Sequence, residues 1–344
     1  MKLGITMPTR TVALDRVPEY AHWAEDAGFD SVWGWELYRN PFTMLAMSAL
    51  TTGRVGLGTG IAATPGRSPF EMANEAADVD ELSSGRMLLG IGSGVLEFAS
   101  AFHDKPPTHP LTRVSEYIDV LRLAWRYLGT GEAPAYQGRF HSFAPPPMNP
   151  WGTRHLERDS IPIYLGAIGP NMLNLVGRKA DGWIGYLGTP DLIRDHVRPT
   201  IEAGANEVGR SLTDVDIMLE LICVVHDDAE IAMHRARRQV GFYVSHPSSD
   251  PIVAHAGLTE EVNALRQSVF QEGPEAFTRT DDKIVHTFSI TGTPAAAYAR
   301  LAEWDGIVDH LVLHTPYVPP FTAAESEDAF RNNCAAFARD RQGT

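Results

Sequence analysis

The sequence predicts an α/β fold, a (β/α)8 TIM barrel with insertions after its fourth and seventh strands, and three observations carry that reading. Short apolar runs alternate with amphipathic segments along almost the whole chain, the pattern that builds a parallel sheet through right-handed crossovers. Eight such runs occur, the number that closes into a barrel. Two of them end in repeated glycines, where the main chain needs room for a close neighbour. No repeat, low-complexity tract or linker divides the 344 residues, so a single domain over 1–344 is expected. A doubly wound open sheet is the alternative, but no G-x-G-x-x-G opens a helix after the first strand.

In chain order, the first strand is Lys2 to Met7, followed by a helical pattern from Leu14 to Ala27. Strand two, Ser31 to Trp35, precedes the apolar helix Phe42 to Thr51. The third strand, Val55 to Gly60, opens into a loop through Arg67. A helix then starts at Ser68, an N-cap with Pro69 in the first helical position, and stops at Ser83-Ser84-Gly85. Met87 to Gly92 is the fourth strand and Thr112 to Leu128 its helix. The Pro-rich stretch 131–160 is the first insertion, with a hairpin-like Tyr136 to Phe140. Ile161 to Gly166, Asn171 to Lys179, Gly182 to Tyr186 and Asp216 to Val225 continue the alternation, and Asp228 to Val240 is the next helix. The second insertion, 241–286, precedes the last strand, His310 to His314. Barrel insertions of this length form lids or interfaces, which makes Trp151, Arg154, His246 and His255 the candidate substrate contacts.

Composition narrows the function classes. A formal net charge of -14, with no Lys/Arg-rich run, argues against binding nucleic-acid phosphates and favours small-molecule chemistry. The two cysteines, Cys223 and Cys334, lack disulfide-framework or metal spacing, and no histidine pair has ligand spacing, so no metal is expected. The apolar N-terminal run is too short for a signal peptide and no stretch is long enough to span a bilayer, which together predict a cytoplasmic protein.

The glycine-rich strand ends are Val55-Gly56-Leu57-Gly58-Thr59-Gly60-Ile61 and Leu89-Gly90-Ile91-Gly92-Ser93-Gly94. They suit a flat, anionic ligand lying against bare backbone, or else they relieve crowding inside a closed barrel. Leu165-Gly166-Ala167-Ile168-Gly169-Pro170-Asn171-Met172 reads as strand, turn and helix start, where free amides and the helix dipole suit a phosphate or form a plain turn.

Together with these segments, Gly28-Phe29-Asp30-Ser31-Val32-Trp33, Arg67-Ser68-Pro69, Asp80-Glu81-Leu82-Ser83-Ser84-Gly85-Arg86, Pro162 to Pro170, Ala180-Asp181-Gly182-Trp183 and Gly292-Thr293-Pro294 occur in an order that resembles the bacterial luciferase-like superfamily of flavin and deazaflavin oxidoreductases. Thr59-Gly60-Ile61 is similar to a strand end of its coenzyme F420-dependent branch that often carries a non-proline cis peptide behind the deazaflavin ring. The resemblance therefore implies a cis Gly60–Ile61 bond. It also implies a cofactor site of Trp35, Gly58, Thr59, Gly60, Ile61, Gly92, Ser93, Gly94, Gly166, Ala167, Ile168, Gly169, Pro170, Asn171 and Met172.

Two departures qualify the chemistry. Relatives commonly place a histidine after the acidic residue, and this chain has Glu36 followed by Leu37; a glutamate used by the sugar-phosphate dehydrogenases is Val95 here. Both argue against acid-base-assisted alcohol oxidation and favour reduction of an activated C=C or C=N bond by hydride from the deazaflavin. Glu36 is the candidate catalytic residue, with a buried ion pair as the other reading. Weaker candidates are Arg67, Glu97, His103, His109, His226 and His234. An FMN-dependent monooxygenase of the same fold is the alternative, and a non-catalytic barrel acting as a binding partner is the reading from another class. A homodimer is expected, on the resemblance and on the apolar helix Phe42 to Leu50.

Overall fold

The computed structural model of the protein describes residues 1–8, 10, 12–37, 39–95, 100–101, 108–146 and 149–338. Glu97 and His103 lie outside them. Strands are labelled β1 Lys2–Thr6, β2 Ser31–Gly34, β3 Gly56–Thr59, β4 Ala62–Ala63, β5 Met87–Gly92, β6 Tyr136–Gln137, β7 Ser142–Phe143, β8 Ile163–Gly166, β9 Gly182–Tyr186, β10 Asp216–Val225, β11 Ser289–Gly292 and β12 His310–His314. The main sheet runs β11-β10-β12-β1-β2-β3-β5-β8-β9, and β9 pairs again with β10, which closes the parallel barrel. All eight expected strands are present. The fold is the (β/α)8 barrel that the strand–helix alternation predicts.

Two strands were not expected, β4 and β11. After Thr59 the third barrel strand breaks at Gly60–Ile61, a cis peptide as the resemblance implies, and resumes as β4 beside β5. β11 pairs with the outer half of β10, Ile222 to Val225, just after the second insertion. Within the first insertion, β6 and β7 form an antiparallel hairpin where Tyr136 to Phe140 suggested one, turning further on at Gly138 to His141. Periodicity misses pieces of two to four residues because they contain too few alternations to count. The second insertion is largely helical, with the end of the helix Ala229–Ser245 and the helices Asp250–His255, Thr259–Glu272 and Asp282–Phe288.

The chain divides into two compact units: Met1–Val32, Gly185–Pro199 and Ile217–Thr344 in one, Trp33–Ile184 and Thr200–Asp216 in the other. In the second, the helix Pro69–Leu82 starts as expected, with Ser68 and Glu71 completing a capping box. Its core centres on Trp33, Tyr117 and Trp125, none more than 1% exposed. The helix Pro41–Ala49 buries Phe42, Met44, Leu45, Ser48 and Ala49 within this chain, which leaves Leu50, 72% exposed, as its large apolar outward residue.

Each unit fastens its strands in the same way at their N-terminal ends. Asp30 Oδ2 accepts the amide of Leu3 at 2.8 Å and Asp309 Oδ2 that of Ile217 at 2.9 Å. In the other unit Asp80 Oδ1 accepts the amide of Met87 at 3.1 Å and Asp181 Oδ2 that of Ile163 at 2.9 Å. Asp80, only 2% exposed, is in turn paired with Arg158 of the first insertion. The aspartates of the quoted motifs thus serve the framework.

Candidate functional site

In the Trp33–Ile184 unit, the glycines at the strand ends separate into two kinds. A Cβ on Gly58 would meet the Trp33 ring at 2.2 Å, and one on Gly90 would meet the Thr59 carbonyl oxygen at 1.8 Å. Thr59 itself is buried and donates its hydroxyl to the Gly90 carbonyl at 2.7 Å. Gly58 and Thr59 are therefore taken up by packing within the chain, and the crowding explanation holds for them. This corrects the expectation that they face a ligand.

Gly92 and Gly166 differ. Above both lies the Ile61 side chain: a Cβ on Gly92 would sit 2.5 Å from Ile61 Cδ1, and one on Gly166 3.5 Å from Ile61 Cγ2. Strand register brings these together, since Ala62 pairs with Ile91, Ala63 with Gly92, and Ile91 with Leu165. Gly60, Ile61, Ser93, Gly94 and Gly166 remain accessible to solvent. The loop after β8 is fixed by the Trp183 indole, which donates to the Ala167 carbonyl at 2.8 Å. It leads to the helix Pro170–Lys179, whose N-cap Gly169 makes no side-chain cap. Gly169 has a φ of -77°, so it is not needed for a left-handed turn, and a Cβ there would meet nothing within 4 Å. Gly169, Pro170 and Asn171 are exposed, Ile168 and Met172 half-buried, and Ala167 is buried.

Glu36 follows β2, and both of its carboxylate oxygens are engaged. Oε1 accepts from Arg67 Nη1 at 2.6 Å and Oε2 from the Ala63 amide at 2.7 Å, while the Glu36 amide donates to the Ile61 carbonyl at 3.3 Å. Arg67 also meets Glu75 at 2.6 Å and lies over the Phe42 ring. Burial works against the Arg67 charge, but hydrogen bonds and charge from Glu36 and Glu75 outweigh it and raise the guanidinium pKa. These contacts are those of the ion-pair alternative for Glu36, whose carboxylate clamps the residues on either side of Ala62. Arg67 is likewise spent on carboxylates. Trp35, just past β2, is half-buried, and Trp33 is the core member of that pair.

The four expected substrate contacts lie two in each unit. Arg154 joins Asp78 and Glu81 of the Pro69–Leu82 helix at 2.8 Å each, anchoring the first insertion, while Trp151 is 84% exposed. In the other unit, His246 caps the turn Pro247–Ser249, and His255 packs edge-on to His196 at 4.8 Å. Among the described residues no His, Cys, Asp and Glu group could hold a metal ion.

Sequence reading missed a cluster in the first unit. His314 ends β12; its Nδ1 lies 3.5 Å from Glu220 Oε2 and its Nε2 3.3 Å from the Tyr243 hydroxyl, which is 3.1 Å from that of Tyr317. Tyr186, at the end of β9, shares a hydrogen bond of 2.8 Å with Ser248 and packs against Tyr243. A signal did exist: Glu220 is a lone carboxylate in the buried run Ile217 to Val225, and an ionisable group there needs a partner.

Comparison with known proteins agrees with this architecture. A family model described as luciferase-like monooxygenase matches residues 1–311. A 5,10-methylenetetrahydromethanopterin reductase from Archaeoglobus fulgidus is 31% identical over 299 residues, 83% of this chain and 84% of the relative. Among solved structures, the coenzyme F420 dependent tetrahydromethanopterin reductase from Methanopyrus kandleri superposes with a TM-score of 0.80 at 24% identity, covering 96% of this chain and 97% of that one. An F420-dependent secondary alcohol dehydrogenase in complex with an F420-acetone adduct gives a TM-score of 0.74 at 17% identity, covering 98% of each chain. With the model matching nine-tenths of its length and a reductase above 30% identity, the chain belongs to the luciferase-like monooxygenase family.

Proposed function

We propose that this protein is a coenzyme F420-dependent oxidoreductase that transfers a hydride between the deazaflavin and a small organic substrate, acting as a reductase of an activated C=C or C=N bond. The observation that carries the reading is the Ile61 side chain lying over Gly92 and Gly166. A flat ring can rest on such a surface because Ile61, half-exposed, is a single aliphatic side chain over glycines that add none of their own. Ile61, Gly92, Ser93, Gly94 and Gly166 would hold the ring, and Gly169 to Met172, at a helix start without a side-chain cap, would take its phosphate. When bound, the coenzyme supplies the hydride. Glu36 and Arg67 act through the segment they clamp, so Glu36 is a positioning residue. The names of the methanopterin reductases, one of them 31% identical, support the reductase direction. The absence of a histidine at Leu37 and of a glutamate at Val95 supports it further.

The FMN monooxygenase reading stays open on one observation, the description of the family model itself. Titration of the purified protein with F420 and FMN separates the two. Tight F420 binding without FMN binding, followed by oxidation of reduced F420 with an enone or cyclic imine, is the expected result; FMN binding alone sinks the proposal. The same reading includes a homodimer, checked by light scattering. Among the described residues, no helix is long and apolar enough to cross a membrane.

A further inference from the structure

We propose that His109, Arg113, Arg139 and Phe140 form a second anion site within the Trp33–Ile184 unit, taking a carboxylate group of a ligand held at the glycine-rich strand ends. Its role beside the coenzyme rests on the F420 reading, whereas the cluster itself does not.

The cluster gathers around one ring. The Arg113 guanidinium carbon lies 4.0 Å from the Phe140 centroid and that of Arg139 lies 5.0 Å from it, while the His109 imidazole packs against the same ring at 5.3 Å. Arg113 spends its Nε on the Thr108 carbonyl at 2.7 Å. Among the described residues, neither guanidinium forms an ion pair. With 43 acidic residues against 29 Lys and Arg, carboxylates are plentiful in this chain, and Arg67, Arg154 and Arg158 of the same unit all meet one. Two like charges beside one ring repel, and an anion received between them reverses the sign of that interaction. A guanidinium fork fits a carboxylate in particular, because two parallel N–H groups match its two oxygens.

The arrangement is held by a buried carboxylate of its own. Glu116, 8% exposed, accepts the amides of Arg139 at 2.7 Å, Phe140 at 2.8 Å and His141 at 2.9 Å. Both of its oxygens are thereby taken by backbone, which leaves the guanidinium donors to another acceptor. Gly138 permits the close approach, since a Cβ there would meet the Glu116 carboxyl carbon at 2.6 Å. The hairpin tip of the first insertion is thus pinned to the helix Pro110–Thr130, and Arg139 is set beside Arg113.

Helix packing places the cluster next to the segment proposed to hold the phosphate. The helix Pro110–Thr130 follows β5 as Pro170–Lys179 follows β8, so both begin at the end where those strands run out into glycine. Lys179, nine residues beyond Pro170, donates to Asp119, nine residues beyond Pro110, at 2.6 Å, and Arg122 donates to the Lys179 carbonyl at 2.6 Å. The two helices therefore start level with each other. Neighbouring helices lie about 8–10 Å apart, a span that one ligand carrying a phosphate and a carboxylate can bridge.

Triglutamate, a flexible polycarboxylate, is titrated into the coenzyme-free protein at low salt while the Phe140 and His109 ring signals are followed by NMR. A saturable shift is expected, and the double variant Arg113→Gln, Arg139→Gln should bind at least about tenfold more weakly. Arg139→Gln alone should show part of that loss with an unchanged melting temperature, because Glu116 holds this residue by its backbone. Two further measurements on the double variant name the source of the carboxylate: F420 affinity, and the KM for a carboxylated enone against that for its methyl ester. A loss of about tenfold in the first assigns the site to the coenzyme, and a KM that rises about tenfold for the acid alone assigns it to the organic substrate. A triglutamate titration that is the same in wild type and double variant, or no change in either of the last two measurements, overturns the anion site while leaving the reductase reading intact. A wild type that binds no F420 removes the reductase reading, and the triglutamate titration then decides the site alone.

Discussion

At their N-terminal ends the barrel strands are fastened by carboxylates, whereas at their C-terminal ends β5 and β8 run out into glycine and β3 breaks at one. Asp30, Asp80, Asp181 and Asp309 each accept an amide from a neighbouring strand, and Asp80 adds a buried pair with Arg158. Such bonds are directional and fix register. At Gly92, Gly166 and Gly169 the backbone is left bare or covered by one aliphatic side chain, Ile61. The comparison teaches that the residues carrying a family resemblance need not be site residues: Asp30, Asp80 and Asp181 of the quoted motifs hold strands in register. Chemistry and framework place different demands on opposite ends of the same strands.

Substitutions at the two ends should therefore fail differently. The largest effect is expected for Asp80→Ala, which strips Arg158 of its partner and leaves the Met87 amide unpaired; unfolding stability should fall by about 3 kcal/mol, read by denaturant titration, with any folded fraction still binding coenzyme. A loss below about 0.5 kcal/mol would mean that the carboxylate is not structural. Gly90→Ala comes next, because its Cβ would press on the Thr59 carbonyl, part of the backbone; a loss of roughly 2 kcal/mol is expected.

Gly92→Ala sharpens the contrast two residues away. Its Cβ would meet only the tip of Ile61, which can rotate. Stability should stay within about 0.5 kcal/mol, while F420 affinity falls about tenfold, or about 1.4 kcal/mol. Equal melting losses in Gly90→Ala and Gly92→Ala would erase the distinction between packing and site glycines. Gly169→Glu introduces a charge into open space and needs no unusual φ. It too should melt like the wild type and bind F420 at least about tenfold more weakly; unchanged affinity would place the phosphate elsewhere. The smallest effect is expected for Trp151→Ala, exposed as it is: stability within about 0.5 kcal/mol, with any change confined to the KM of the organic substrate.

Much of the fold was legible because its signals are local. Alternating apolar runs, the Ser68-Pro69 start with Glu71 three residues on, and the Ser83-Ser84-Gly85 stop each report on a few neighbouring residues, and all eight barrel strands lie where those signals put them. β4 and β11 were not legible, being too short for a period and held by pairing to distant strands. The site was legible in part. Repeated glycines marked the right segments, but nothing local distinguishes Gly90, filled by the Thr59 carbonyl, from Gly92, covered by a movable side chain.

The sequence by itself determined the barrel, the glycine-lined strand ends, the family and the absence of the histidine and glutamate that alcohol oxidation would use. Hydrophobic period, turn residues and motif order are properties of adjacent positions, so they survive without coordinates. Only the tertiary structure decided that Glu36 is bound by Arg67 across 31 positions, that Arg154 anchors an insertion, and that Glu220, Tyr243, His314 and Tyr317 meet although they come from three separate stretches of chain. Whether a carboxylate is a base or a clamp depends on which donors lie within about 3 Å of its oxygens, and strand register and helix packing set those distances.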